Sequence, residues 1–359
     1  MKKITFPHMG SSHIAFSMLV KELGHEVIKP PAPTRKTLTY GTKHSPEFAC
    51  IPFKVLLGTY LEAIEKGADT IVSSGGVGPC RAGYYGELQN KILQDIGYNP
   101  DFVIFEPPLK SLSDFMSKIK ILKGNNSWIA LLDIVRRTWH KLIALDDLES
   151  EVNKIRPYEL NKGETSKQLK IGQSMLDEAQ SMKEIKEARN EALKAIRKVK
   201  CLERPEKPIK VGLIGEIYVV LEPFINADVE KTLGELGVQV DRSIHLTNWT
   251  RDNTLIDGEK GVKKLARPYL DQLVGGHGQN SIGETIHYAE NDFDGVVHLA
   301  PFTCIPEIVA KSIIPKVSQD YNIPVITLFL DEQTGKAGVQ TRLEAFVDLI
   351  KKKRLGEVS

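Results

Sequence analysis

Residues 295–310, GVVHLAPFTCIPEIVA, constrain the fold more than any other part of the chain. Val296, Val297 and Leu299 read as a buried strand, and apolar runs without alternation belong to parallel sheets covered by helices. A Pro-Phe-Thr-Cys turn follows. Pro306-Glu307 then opens a helix, since Pro suits the first helical turn and Glu complements the helix dipole. Cys304 thus falls at a strand-to-helix junction, where backbone N–H groups favour thiolate over thiol. The tripeptide Cys-Ile-Pro recurs at Cys50-Ile51-Pro52, again opening an apolar helix. Cys80 ends a glycine-rich turn, SSGGVGPC, after another buried strand. Three of the four cysteines therefore share one kind of site.

The chain opens as a βαβ unit, with a strand at 3–6, a helix at 13–23 and a second strand at 26–29. Residues 30–48 read as a long loop rich in Pro, Thr and Gly, a wall or lid beside Cys50. A helix at 52–66, a strand at 69–73, a helix at 87–96 and a strand at 102–106, closed by Pro107-Pro108, complete the first half. This alternation predicts a parallel, doubly wound sheet. From 111 to about 200 charged helical periodicity takes over, notably at 166–199, and the Pro-rich segment 203–210 marks a boundary. Strands at 211–214, 238–241, 295–300 and 325–330 then alternate with helices at 228–236 and 342–352, and a glycine-rich link at 273–284 leads into a short helix. The expected fold class is α/β, with two Rossmann-like parallel-sheet domains, 1–110 and 209–359, and a helical insertion or linker at 111–208.

The cysteines admit several readings. All four could be small buried residues, and Cys201, at a helix end before the linker, is read so. Cys50, Cys80 and Cys304 instead sit in turns where ligands bind in open α/β sheets. Structural zinc usually takes paired Cys-x₂₋₄-Cys knuckles, whereas the nearest two cysteines here, Cys50 and Cys80, are 30 positions apart. Three thiolates at helix N-termini better suit an anionic iron–sulfur cluster, one iron of which would lack a cysteine ligand. No P-loop, dinucleotide fingerprint or nucleophile elbow is present. Gly75-Gly76-Val77-Gly78 is read as close backbone approach to a cluster, and His298 as a satisfied strand histidine. Glu307 and Glu87 are the nearest candidates for moving protons, with Glu307 equally readable as a first-turn helix acid. No catalytic residue is assigned.

Composition narrows the partners. Net charge is +2, from 48 basic and 46 acidic residues, so there is no electrostatic footprint for nucleic acid. The run Lys351-Lys352-Lys353-Arg354 reads as a solvated helix terminus. No apolar run reaches membrane-spanning length. The N-terminal stretch reads as a strand and turn rather than a signal peptide, so the expected location is the reducing cytoplasm.

The segments GVGPCRAGYYGELQ (76–89), GEIYVVLEPFIN (215–226), HLAPFTCIPEIVAKSI (298–313) and VITLFLDEQTGKAGVQTRLEAFVDLI (325–350) resemble the 2-hydroxyacyl-CoA dehydratase superfamily, closest to its CoA protein activase branch. The resemblance covers most of the chain apart from the helical middle. It implies that Cys50, Cys80 and Cys304 are cluster ligands. The cofactor would be a 4Fe-4S cluster, or an 8Fe-9S double cubane shared across a dimer, in the cleft between the two α/β domains. It further implies an ATP-hydrolysing activator of the actin/Hsp70-like class as electron donor, and a homo- or heterodimer with a related subunit. The chain itself carries no ATPase signature and would be the electron-receiving component, driving reductive or radical chemistry. The rival functions are a non-catalytic cluster carrier or assembly scaffold, and a metal-free small-molecule binder with buried cysteines.

Overall fold

The computed structural model of the chain describes residues 1–76, 78–106, 111–248 and 260–356. It forms two compact units, one from Met1–Ile143 with Gln180–Ile185, the other from Ala144–Ala179 with Lys186–Ser359.

The first unit runs β1 (Lys3–Thr5), α1 (Ser12–Glu22), β2 (Glu26–Val27), α2 (Arg35–His44), α3 (Ile51–Glu65) and β3 (Thr70–Ser74). A 3-10 turn, Arg81–Tyr84, leads into α4 (Tyr85–Asp95), β4 (Asp101–Phe105), α5 (Leu112–Lys123) and the start of α6 (Trp128–Ile155). Its four strands are all parallel, in the order β2-β1-β3-β4. Ile4, Phe6 and Val103 from the sheet region pack with Val20 and Leu23 of α1, Leu122 of α5 and Ile134 of α6. Burial of these side chains, each worth about 1.5–3 kcal/mol, offsets the entropy of ordering such short strands.

The chain passes into the second unit within α6, then through α7 (Glu164–Glu178) and α8 (Met182–Arg197). The sheet-forming part runs β5 (Ile209–Gly215), α9 (Ile217–Leu221), α10 (Pro223–Asn226), α11 (Val229–Glu235) and β6 (Val238–Arg242). It continues with α12 (Lys260–Ala266), α13 (Gly278–Glu290), β7 (Gly295–Pro301), α14 (Ile305–Asp320), β8 (Val325–Leu330) and α15 (Lys336–Arg354). The sheet is again all parallel, in the order β6-β5-β7-β8. Every residue of β7 is buried, His298 included, as in a parallel strand covered on both faces. Ile282 and Ile286 of α13 and Ala310, Ile314 and Val317 of α14 pack with Ile214 and Val296.

The expected α/β class, with two Rossmann-like parallel sheets, is therefore what the chain forms. Both sheets use one strand permutation, and in each the direction of winding reverses between the first and third strands. The switch points are β1/β3 and β5/β7, where α/β proteins open a crevice beyond the carboxyl ends of the strands.

Several expectations need correction. The region 30–48 is not a continuous loop, because α2 occupies its centre. Thr34 and Thr37 form a reciprocal cap at its start. The helix then lies backbone to backbone on α3: a Cβ on Gly41 would stand 1.6 Å from Lys54 O, and one on Gly58 1.9 Å from Thr37 O. The charged stretch 166–199 is two helices, parted where Ser181 and Glu184 make a capping box: Ser181 N donates to Glu184 (2.9 Å) and Glu184 N to Ser181 Oγ (3.2 Å). The basic run at 351–354 is, as expected, the largely exposed last turn of α15, and it also makes contacts of its own. Arg354 forms a two-pronged pair with Asp294 (2.6 and 2.6 Å) and donates to the carbonyls of Lys207 and Pro208. The Pro107-Pro108 end of the fourth strand and Val77 of the glycine-rich turn lie outside the described residues.

Candidate functional site

Each of the three singled-out cysteines is the N-cap of a helical segment. Cys50 caps α3, Cys80 the 3-10 turn that leads into α4, and Cys304 α14. All three have extended backbones (φ/ψ −68/156, −70/129 and −77/106), and in none does the sulfur accept a capping hydrogen bond. The sequence produces this locally. Pro52 and Pro306 sit two residues after their cysteines, where a missing N–H costs the first helical turn nothing. Cys50 and Cys304 are buried and Cys80 is half-buried. None of the four cysteines forms a disulfide, and Cys201 is exposed, with Sγ facing the Val199 carbonyl.

In the first unit two of the cysteine segments are tied together. Arg81, next to Cys80, donates through Nη1 to the Phe48 carbonyl, two residues before Cys50 (2.9 Å). The Tyr85 hydroxyl is hydrogen-bonded to Cys50 Sγ, and its ring stands edge-on to Phe53. Gly76 approaches a glycine of the following turn: a Cβ on Gly83 would be 2.8 Å from Gly76 O. Close packing within the protein thus accounts for part of the glycine-rich sequence before Cys80. Glu87 is exposed in the first turn of α4.

Cys304 belongs to the second unit, at the carboxyl end of β7. The preceding Thr303 has φ +68. That is rare for a β-branched residue, and such strain is held only where the surrounding structure over-determines it. Three residues after Cys304, Glu307 is wholly buried. It is a first-turn helix acid, as read from the sequence, but a buried one whose Oε2 accepts from Ser281 Oγ (2.8 Å) and His298 Nε2 (2.8 Å), joining α14 to α13 and β7. His298 is fully buried, and its Nδ1 meets Thr327 Oγ1 at 3.2 Å, so the histidine is satisfied within its strand. Glu216, immediately after β5, accepts from Val219 N through its side chain (3.1 Å). Burial raises its pKa to about 7, and the charge of Glu307 adds to that.

The two Cys-Ile-Pro tripeptides are not equivalent in the fold. Cys50 opens the helix before the third strand of its sheet, whereas Cys304 opens the helix after the third strand of the other. The counterpart of Cys304 is Cys80, and that of Cys50 is His277, the N-cap of α13. The repeat in sheet order is real, but the repeated tripeptide is out of register with it.

Among the described residues, no three His, Cys, Asp or Glu side chains are grouped as ligands of a single metal ion would be. A cluster places its thiolates on different irons, farther apart than the ligands of one ion, and cysteine thiolates are its usual ligands. The donor chemistry at Cys50, Cys80 and Cys304 therefore fits a cluster. Tyr85, Ser281 and Glu216 escaped sequence reasoning, although Tyr85 and Glu216 lie inside segments that carried the family resemblance.

Fold and sites together define a two-unit α/β protein with cysteines capping helices beside parallel sheets. The chain belongs to the 2-hydroxyglutaryl-CoA dehydratase D-component family, whose model matches residues 109–350, about two thirds of the sequence. It is thus a component of the 2-hydroxyacyl-CoA dehydratase type. The match runs through the helical middle, where no motif had signalled the family. It includes Cys304 and stops short of Cys50 and Cys80. Comparison with curated proteins finds no match. Among the described residues no helix is long and apolar enough to cross a membrane.

Proposed function

We propose that the chain is the electron-receiving component of an ATP-coupled dehydratase or reductase system and binds an iron–sulfur cluster through Cys50, Cys80 and Cys304. The observation that carries this is the shared geometry of the three cysteines, each an N-cap with extended backbone whose sulfur is not spent on capping. Helix N-termini offset negative charge, and three thiolates around an anionic cluster concentrate it. When bound, the cluster supplies a low-potential electron.

The chain's own residues have definable parts. Cys50, Cys80 and Cys304 would hold the cluster, and Tyr85 would donate to the Cys50 sulfur. Arg81 fixes the spacing of the Cys50 and Cys80 segments through the Phe48 carbonyl. The electron donor would be an ATP-hydrolysing activator of the actin/Hsp70-like class on a separate chain, and the oligomer a homo- or heterodimer of related subunits in the cytoplasm.

Iron and acid-labile sulfide, measured on anaerobically purified protein, test the proposal. About four irons per chain are expected in the wild type, with loss or marked lability in Cys304→Ala. Iron near zero in both proteins, persisting after reconstitution, would overturn the cluster and favour a protein with merely buried thiols.

A further inference from the structure

At the carboxyl end of the second sheet, acid–base groups converge from three elements. Glu216 follows β5, His298 lies on β7, and Glu307 stands in the first turn of α14. They flank the β5/β7 switch point, the place where an α/β sheet opens a crevice. His298 and Glu307 are fully buried, and Ser281 of α13 is 1% exposed. Both donors to Glu307 use Oε2. Its Oε1 is buried and has no hydrogen-bond donor among the described residues.

Glu216 is the only one of these four residues that is not fully buried. Its backbone N–H donates to the Leu299 carbonyl (3.2 Å) and its carboxylate accepts from Val219 N, so its place is set from both ends. On α13, Glu284 accepts a hydrogen bond from Ser243. The charge of Glu307 acts on Glu216, and His298 donates to Glu307. Both carboxylates are held by two donors, Glu216 by the backbone N–H groups of Tyr218 and Val219 and Glu307 by His298 and Ser281, but Glu216 is the less buried of the two.

We propose that Glu216 is the group through which a proton is given and taken at the β5/β7 switch point, and that Glu307, held by His298 and Ser281, is its positioning partner. The proton's destination rests on the dehydratase-type reading: the hydroxyl oxygen of a 2-hydroxyacyl thioester. The step is proton transfer alone. The carboxyl O–H bond of Glu216 breaks, its electron pair stays on the carboxylate, and the proton joins a lone pair of the substrate oxygen. Return of a proton to Glu216 restores the acid.

The test is a carboxyl titration of the full chain, labelled with carbon-13 at glutamate and followed by difference infrared spectroscopy. One signal, absent in Glu216→Gln, is expected to titrate near pH 7 and to move down in Glu307→Gln as the neighbouring charge is removed. Ser281→Ala, which deletes a single donor to Glu307, provides a second variant in case Glu307→Gln does not fold, and the midpoint should shift there too. Addition of 2-hydroxyglutaryl-CoA should shift the midpoint where glutaryl-CoA, lacking the hydroxyl, does not. A midpoint in the ordinary carboxyl range, or one indifferent to both variants, would overturn the role of Glu216. Equal shifts with the two thioesters would overturn the hydroxyl as its target. None of these readouts needs iron, so their failure is separable from failure of the cluster proposal.

Discussion

Tyr85 gives the cluster proposal its sharpest residue-scale test. A hydroxyl donating to Cys50 Sγ stabilises the more negative, reduced state, so its removal should lower the reduction potential. For Tyr85→Phe the expected drop is roughly 40 mV, equivalent to about 1 kcal/mol for one electron, with iron and sulfide content unchanged. Protein-film voltammetry measures it; an unaltered potential would remove Tyr85 from the cluster's surroundings. Glu216 carries a second prediction, in stability. Its folded pKa is raised from 4.5 to about 7, by burial first and then by the charge of Glu307. The folded protein therefore binds this proton more tightly than the unfolded chain. The stabilisation is complete below about pH 4.5 and is lost as pH rises through about 7. Glu216→Gln should gain on the wild type across that window and hold its advantage above it, by at most about 3 kcal/mol before solvent screening. Urea unfolding at a series of pH values checks the sign.

At the scale of elements, α2 and α3 show how backbone contact can make a helix out of a polar stretch. Neither Gly41 nor Gly58 can accept a methyl group without displacing backbone. Gly41→Ala and Gly58→Ala should each destabilise the protein by at least about 2 kcal/mol. Gly338, in the exposed part of α15, has nothing within 4 Å of the same added atom. There the identical substitution should stabilise by about 0.5–1 kcal/mol, through helix propensity and the unfolded state. Thermal melts of the three variants side by side distinguish a packing role for glycine from a conformational one. The break between α7 and α8 is likewise an element-scale matter. The Ser181–Glu184 box satisfies backbone N–H groups that a continuous helix would have bonded to its own carbonyls.

For the molecule as a whole, the measurement that matters most is sulfide per chain at fixed iron. Separate cubes would give about 4.0 sulfides per chain, and a double cubane shared by two chains about 4.5, with the same four irons in either case. The number therefore decides whether the cofactor joins two chains. What the sequence determined alone was the class: alternating apolar strands and helices, with cysteines at their junctions, specify parallel α/β sheets because local pattern and burial agree there. It also carried the family, through segments around Glu216 and Cys304 that lie within the matched residues. The contacts between distant segments were decided only in three dimensions. Gly41 and Gly58 meet across α2 and α3, Arg354 reaches Asp294, and Glu307 turns from its own helix to His298 and Ser281. Such contacts leave no local periodicity, since each depends on which strand lies next to which. The common strand order of the two sheets is what pairs Cys304 with Cys80 rather than with the tripeptide it shares with Cys50.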